Sequence, residues 1–359
     1  MRRNLTTFDA RMSALRPDIK IRQLAVGHRL EGPQPITKET ALIGTEGTNE
    51  WLRSLKDFGQ YLDKVKALPE LEVTGWPSKV VKVALLDSGV DLLAPSIRGR
   101  IHSDTNYFEG DTTHGTQMAA AILNVCPQIE LHFFRVDVYE GSHGGPLVRL
   151  ESVAQAIKDA ADRDFDVMCI PWAVPDEHHS SSINAIRDVE NHRWIFSRVD
   201  IAILYPCPSS EEGSRETPPG VSIATAGKSW PWKRDARHGF RFPVDAKITT
   251  QGNDTNFISG NAVATAMATG LAATIFRCYY LVKSYKRTKT QATGFSENRG
   301  SGFIERAFSA ISRGQREEAQ LMPIWDIFKL PAEIDLQAGE LDLTNNMSFL
   351  SDVLQKLGG

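Results

Sequence analysis

The chain has 359 residues, of which 41% are hydrophobic and 24% charged, and its formal net charge is -3. This is ordinary globular usage, and the length accommodates one large α/β domain with additions or two modest domains. The near-neutral charge balance gives no electrostatic reason to expect nucleic acid or an anionic membrane surface as a partner.

Residues 1–80 are predicted to form an N-terminal extension that is partly helical. No clear period emerges in residues 1–45, which are mixed and polar. Between Thr48 and Leu68 apolar residues recur every three or four positions, which predicts a helix with one buried face.

Residues 81–285 are predicted to form an α/β core, a parallel twisted sheet flanked by helices on both faces. Apolar runs rich in branched residues are interpreted as buried strands, and helical patterns alternate with them over short connections. The strand segments are VKVALLD, IELHFFRVDV, FDVMCIPWAV and DIAILYP, and the helical segments are HGTQMAAAILNV, LESVAQAIKDAADRD and SSINAIRDVENHR.

Residues 286–359 are predicted to be a loop and a C-terminal extension packed on the core. The loop runs from Lys286 to Gly302 and is basic at first, then rich in Gly and Ser. A second loop, Pro208–Gly220, has a similar breaker composition inside the core. The tail after the first loop is compatible with a helix or an edge strand.

The chain is expected to be cytoplasmic. Arginines near the N-terminus are not followed by the apolar run of a secretory signal, and no stretch of about 18 apolar residues predicts a membrane span. The four cysteines are scattered among apolar runs. They are interpreted as buried free thiols rather than disulfides or metal ligands. A chain that had lost a native leader would show the same features.

Three short segments carry candidate chemistry. Asp87 ends the first core strand in LLDSGVD, and His114 begins a helix of small residues in DTTHGTQMAAAIL. Taken alone, Asp87 is explained as an acid that caps a turn, and His114 as a structural histidine. The third segment, FISGNAVATAMATGLAATIF, leads from a Gly-containing turn into a helix that is apolar all round. The first turn of such a helix points free N–H groups outward, which suits a developing oxyanion.

The order of acid, histidine and Gly-containing helix start resembles that of the subtilisin-like serine peptidases, the subtilases. Their first motif is matched by Asp-Ser-Gly-Val-Asp at 87–91, their second by His-Gly-Thr at 114–116, and their third by Gly-Asn-Ala-Val-Ala-Thr-Ala at 260–266. The resemblance spans about residues 82–276. The third motif is similar to that of fungal intracellular subtilase domains.

The resemblance implies a serine endopeptidase that uses an Asp-His-Ser triad, without a cofactor, on a protein or peptide bound in extended conformation. Asp87 would orient His114, which would act first as general base and then as general acid. For Trp172, core packing is the alternative to a pocket role. The residues implied for substrate binding are Pro171, Trp172, Ala173 and Gly141.

Two positions depart from the family pattern. Ala262 stands where the family has its attacking serine, and a methyl group can neither lose a proton nor attack a carbonyl. In subtilisin, loss of the nucleophile costs roughly 2 × 10⁶-fold in turnover, so the chain as given is expected to be inactive. At the oxyanion hole, Ser210 (or Ser209) replaces the family's asparagine. An engineered serine-to-alanine change and natural decay both explain Ala262, and the intact Asp87 and His114 favour the engineered change.

The sequence also allows other functions. A natural pseudopeptidase would hold a peptide or protein in the old cleft without cleaving it. An unrelated hydrolase or nucleotide-binding protein is disfavoured because no Gly-x-Gly-x-x-Gly follows the first core strand and no phosphate-loop Gly-Lys-Ser/Thr occurs. No metal is predicted. The acids that could supply calcium ligands, but are interpreted as solvated, are Asp104, Glu109, Asp111 and Asp137.

Overall fold

The structure is a computed structural model, and the statements below concern the residues that it describes. These are residues 38–72, 79–102, 112–140, 146–163, 165–171, 202–206, 221–226, 240–243, 246–249, 255–258, 261–289, 303–312, 322–331, 334 and 342–358.

A seven-stranded sheet forms the centre, in the order β2-β3-β1-β6-β7-β8-β9. Neighbouring strands are parallel from β2 to β7, which confirms the predicted parallel sheet. The pairs β7–β8 and β8–β9 are antiparallel, an addition that the sequence analysis did not predict. The strands of this sheet are β1 Lys82–Asp87, β2 Ile101–His102, β3 Glu130–Arg135, β6 Val167–Cys169, β7 Ala202–Pro206, β8 Val221–Ala226 and β9 Phe240–Pro243.

Two antiparallel pairs lie outside the central sheet. One joins β4 and β5, and the other joins β10 and β11. Their bounds are β4 Val138–Glu140, β5 Pro146–Val148, β10 Ala246–Thr249 and β11 Thr255–Ile258. Because β4 follows β3 after two residues, the β4–β5 pair extends from the edge of the sheet at which the parallel strands end.

Helices cover both faces of the parallel strands. Val83 and Leu85 of β1 belong to one large buried cluster with α3 and α5. Ala84 and Leu86 are equally buried but lie outside that cluster, on the face where α4 contacts β1 and β3. The helices are α1 Lys38–Lys66, α2 Pro69–Glu72, α3 Thr113–Val125, α4 Leu150–Asp162, α5 Asn261–Lys289, α6 Phe303–Ser312, α7 Trp325–Phe328 and α8 Leu343–Lys356.

Two helices extend beyond their predicted bounds. The helix expected over 48–68 begins ten residues earlier, at Lys38, and ends at Lys66. The apolar helix α5 continues to Lys289, so its last turn occupies the start of the predicted Lys286–Gly302 loop. Charged residues at both helix ends obscure the apolar period, although the backbone hydrogen bonds continue through them. The predicted helix over 181–193 lies outside the described residues.

Helix α5 is the one helix among the described residues with the length and composition of a membrane span. Residues Ala262–Lys286 are long and apolar enough by length and composition. However, 83% of the most apolar 18-residue window is buried inside the protein. Burial as a central core helix therefore accounts for this composition.

The N-terminal helix α1 and the C-terminal helix α8 pack together on α5. Fully buried apolar side chains line the inner face of α1, including Trp51, Phe58 and Val65. The Tyr61 hydroxyl donates a hydrogen bond to Asn346 Oδ1 of α8 at 2.6 Å. The sequence pattern predicted helix α1, but its partners were not readable from that pattern.

Candidate active site

Asp87 lies at the carboxyl end of β1, where the chain turns out of the sheet. Its side chain is only 3% exposed. The backbone N–H of Ser88 donates to Asp87 Oδ1 at 2.7 Å, and the Val136 N–H donates to the Asp87 carbonyl at 2.8 Å. The buried carboxylate needs a donor such as the Ser88 N–H because its desolvation is costly. These contacts hold the acid at the end of the strand.

His114 is the second residue of α3 and directs its imidazole at this carboxylate. Its Nδ1 lies 2.9 Å from Asp87 Oδ2 and 3.1 Å from Oδ1. An ionised carboxylate only accepts hydrogen bonds, so Nδ1 carries the proton and the lone pair of the neutral ring is on Nε2. The imidazole is 22% exposed. The pair therefore combines a buried carboxylate with a partly accessible imidazole.

Gly115 makes this approach possible. A Cβ at this position would lie 2.1 Å from the Gly89 carbonyl oxygen and 3.2 Å from Asp87 Cβ. Such distances are far inside van der Waals contact, so any side chain would force α3 away from the loop after β1. The glycine after the histidine in the second motif thus has a steric reason in this fold.

Ala262 lies in the first turn of α5 and is partly buried. Three contacts show that α5 and α3 run in the same direction. Gly270 packs against Val125 and the Ile122 carbonyl, near the end of α3. Further along α5, the Arg277 guanidinium donates to the Gln128 side chain at 3.2 Å, and Gln128 lies beyond the end of α3. Both helices therefore begin at the carboxyl edge of the sheet, and Ala262 lies at the same edge as Asp87 and His114.

Cys169 lies beneath this edge and was not singled out by the sequence analysis. It pairs in register with Leu85, two residues before Asp87. Burial raises the pKa of the Cys169 thiol to about 12, and the Asp87 charge raises it to a lesser degree. A hydrogen bond with Thr269 acts in the opposite direction and lowers it. The thiol therefore stays protonated near neutral pH and does not act as a nucleophile. Its position as the last residue of the apolar strand β6 gave no signal beyond core packing.

Cys126 and Cys278 are also buried free thiols, as predicted, and Cys207 lies outside the described residues. Pro171 is buried two residues after β6. In the part of the chain that the structure describes, no group of three or more His, Cys, Asp or Glu side chains is placed to hold a metal. The other predicted site or ligand residues outside the described ranges are Gly141, Trp172, Ala173, Ser210, Asp104, Glu109 and Asp111.

Comparison with known families agrees with the first two motifs. Residues 78–200 match the Subtilase family, a family of serine peptidases. The matched segment contains Asp87 and His114 and ends before Ala262. Among curated proteins, none matches the chain.

Solved structures show a distant likeness. The prenylagaramide maturation protease PagA is 14% identical, over 79% of this chain and 99% of its own, with a TM-score of 0.43. The patellamide maturation protease PatA is 15% identical over 76% and 97%, with a TM-score of 0.41. A lanthipeptide protease is 15% identical over 67% and 81%, with a TM-score of 0.35. These values are too low to carry a functional argument. The family model covers about a third of the chain and includes the Asp and His motifs, in agreement with the resemblance found in the sequence motifs.

Proposed function

We propose that this chain is a subtilase-type serine endopeptidase whose machinery consists of Asp87, His114 and a nucleophile position at 262, and that Ala262 disarms it. The observation that carries the proposal is the 2.9 Å contact between His114 Nδ1 and the buried Asp87 carboxylate. It lies at the sheet edge where α5 begins, which is the edge at which ligands bind in open α/β sheets.

The proposed chemistry requires a serine hydroxyl at position 262. His114 Nε2 takes the hydroxyl proton as the oxygen attacks the scissile carbonyl, and the imidazolium then gives the proton to the leaving amine. Asp87 stays ionised and stabilises the charged imidazolium. The acyl-enzyme is hydrolysed by water, which His114 activates in the same way. With alanine at 262 the first step has no nucleophile.

Charge stabilisation in this scheme comes from the start of α5. The first-turn N–H groups of a helix have no intrahelical acceptors, and they carry partial positive charge. A tetrahedral oxyanion formed at position 262 would lie against them. We assign Ser210 as an additional hydroxyl donor, in place of the family's asparagine side chain.

The substrate is proposed to be a protein segment in extended conformation. The β4–β5 pair extends from the sheet edge just after β3, whose last residue pairs with Asp87. Its connecting loop contains Gly141, a residue with which a peptide strand could pair closely. The opposite wall is assigned to the segment after β6, with Pro171, Trp172 and Ala173.

The decisive experiment is the substitution Ala262→Ser. The restored protein is expected to react with a fluorophosphonate probe and to cleave casein or members of a peptide library. Because loss of the nucleophile in subtilisin costs roughly 2 × 10⁶-fold, a gain of several orders of magnitude over the chain as given is expected. The double variant Ala262→Ser with His114→Ala is the matched control and should remain unlabelled. A folded Ala262→Ser protein that neither reacts with the probe nor cleaves would refute the proposal.

A second candidate is a natural pseudopeptidase, and Ala262 itself is the observation that favours it. This function predicts saturable peptide binding by the chain as given and no turnover after Ala262→Ser. The natural coding sequence at this position separates the two explanations of the alanine. A serine codon supports an engineered change, and an alanine codon supports natural loss.

A further inference from the structure

Thr116 connects the two halves of the Asp87–His114 pair through its hydroxyl. Its Oγ1 accepts a hydrogen bond from the Asp91 backbone N–H at 2.8 Å. The same hydroxyl donates to the Thr112 carbonyl at 2.6 Å. One side chain therefore bonds both the loop that follows Asp87 and the residue that precedes the helix of His114.

These contacts close a ring that contains the pair. From Asp87 the backbone runs through three residues to Asp91, whose N–H bonds Thr116. From Thr116 the backbone returns through Gly115 to His114, whose Nδ1 bonds Asp87 at 2.9 Å. We call this the Asp87–Thr116 ring. Because its two hydrogen bonds and its short backbone segments are coupled, the position of the imidazole depends on the bond between Asp91 and Thr116.

Both segments of the ring are held locally as well. The Asp91 carboxylate accepts from the Leu93 N–H at 3.0 Å, which fixes the turn after the ring. Thr112 precedes α3 without a capping bond from its own side chain, and its carbonyl accepts both the Thr116 hydroxyl at 2.6 Å and the Thr116 backbone N–H at 3.1 Å. Gly115 meanwhile allows the helix to lie against Gly89, but a close approach alone does not set a rotation or register.

We infer that Thr116 is a positioning residue that sets the His114 imidazole against the Asp87 carboxylate. Its hydroxyl fixes the first turn of α3 relative to the loop after β1 and does not touch the reacting atoms. The kinetic consequence rests on the proposed peptidase function, whereas the structural consequence, a weaker contact between His114 and Asp87, does not.

The first test needs no catalysis and uses the full chain with Ala262. Thr116→Val keeps the shape of the side chain and removes the hydroxyl, and Thr116→Ser keeps the hydroxyl. The readout is the proton NMR signal of the hydrogen between His114 Nδ1 and Asp87, assigned by its absence from the His114→Ala chain. The signal is expected in the parent and in Thr116→Ser, and it should be lost or strongly broadened in Thr116→Val.

The second test places the same variants in the Ala262→Ser background. Thr116→Val is expected to lower kcat by roughly 10–100-fold with KM changed less than twofold, because small misplacements of catalytic groups cost about that much. Thr116→Ser should restore most of the rate. Thr274→Val is the matched control, since it removes a threonine hydroxyl that bonds the carbonyl four residues earlier, that of Gly270, at 3.0 Å in α5. It should leave kcat and the NMR signal unchanged.

A merely structural threonine would give a different result. If Thr116→Val lowers the melting temperature but retains the NMR signal and kcat, the inference is overturned. If Thr116→Val shows no cooperative melting, Thr116→Ala is measured in the same two ways and decides the matter. If Ala262→Ser is folded but inert, the proposed function fails, and the NMR comparison still decides the role of Thr116.

Discussion

The carboxyl edge of the sheet and the region around helix α1 are held by different kinds of contact. At the edge, directional bonds of 2.6–3.1 Å and one close glycine contact bring Asp87 and His114 together. Around α1, the stabilising contacts are large apolar side chains with no exposed surface, such as Trp51 and Phe58. Phe58 meets Phe328 edge-on, with ring centroids 4.9 Å apart.

The difference indicates which property each region controls. Apolar burial is non-directional and scales with area, so it contributes mainly to the free energy of folding. Short hydrogen bonds fix distances and angles, so they contribute mainly to geometry. The α1 region also has a polar contact, between Asp63 and Arg277 at 2.5 Å. Arg277 lies four helical turns along α5 from Ala262, or about 22 Å at 1.5 Å per residue. The two regions should therefore respond independently to substitution.

The largest effect on stability is expected for Phe58→Ala. Removal of a buried phenyl ring leaves a cavity between α1 and α7, which should lower the free energy of unfolding by about 3–5 kcal/mol. Chemical denaturation measures this loss. Lys56→Ala, at an exposed position on the same helix, is the control and should stay within about 0.5 kcal/mol. A loss of the His114–Asp87 NMR signal in folded Phe58→Ala protein would show that the regions are coupled after all.

At the carboxyl edge of the sheet, Gly115→Ala is expected to abolish activity and to lower stability less than Phe58→Ala does. Its Cβ would overlap the Gly89 carbonyl oxygen, so α3 must shift, at a cost of about 1–3 kcal/mol. In the Ala262→Ser background, peptidase activity should disappear while the protein still melts cooperatively. Gly59→Ala in α1 is the matched control, because its Cβ would meet nothing closer than Arg277 Nη1 at 3.7 Å. That change should raise stability by up to about 1 kcal/mol.

A smaller effect is expected at the start of α8. Asp342 Oδ1 accepts a hydrogen bond from the Asn345 N–H at 2.7 Å and caps the helix that packs with α1. Asp342→Ala should lower the free energy of unfolding by about 1 kcal/mol, and Asp342→Asn should lower it less, since asparagine caps nearly as well. Equal losses in both variants would indicate that the carboxylate charge, not the cap, stabilises this end.

The smallest effect concerns the pH dependence of stability. His132 on β3 stacks on His102 with ring centroids 4.9 Å apart. Burial lowers the pKa of His132 below its ordinary 6.5, and the charges of His102 and Lys82 lower it further. Glu130 acts in the opposite direction and raises it through its charge and a hydrogen bond. Because the folded pKa is the lower one, its stabilising contribution is complete above about pH 6.5 and is lost as the pH falls through the folded pKa.

His132→Gln should therefore flatten the dependence of the unfolding free energy on pH below about 6.5. Denaturation midpoints measured at pH 7.5 and 5.5 in the parent and the variant test this. An equally steep loss of stability in both proteins would mean that other groups, not His132, are responsible. The contact between His114 and Asp87 should be the same in both proteins at pH 7.5, since His132 pairs with Ala84, three residues or about 10 Å along the strand from Asp87.

Local sequence predicted much of this molecule. Every position between Lys82 and Asp87 is apolar, and such a run is a strand buried on both faces. The acid at its end and the histidine before Gly115 indicated both partners of the pair. The periodic spacing in α1 predicted a helix with a buried face.

Tertiary structure decided the rest, because contacts between distant segments leave no local period. The apolar face of α1 shows that something must cover it, but only the fold places Phe328 and Asn346 there, more than 260 residues away in sequence. Likewise Thr116 belongs to the His-Gly-Thr motif, but the bond of its hydroxyl to Asp91 exists only because α3 returns to the loop after β1. Periodicity determined which surfaces are buried, and chain topology determined which of them meet.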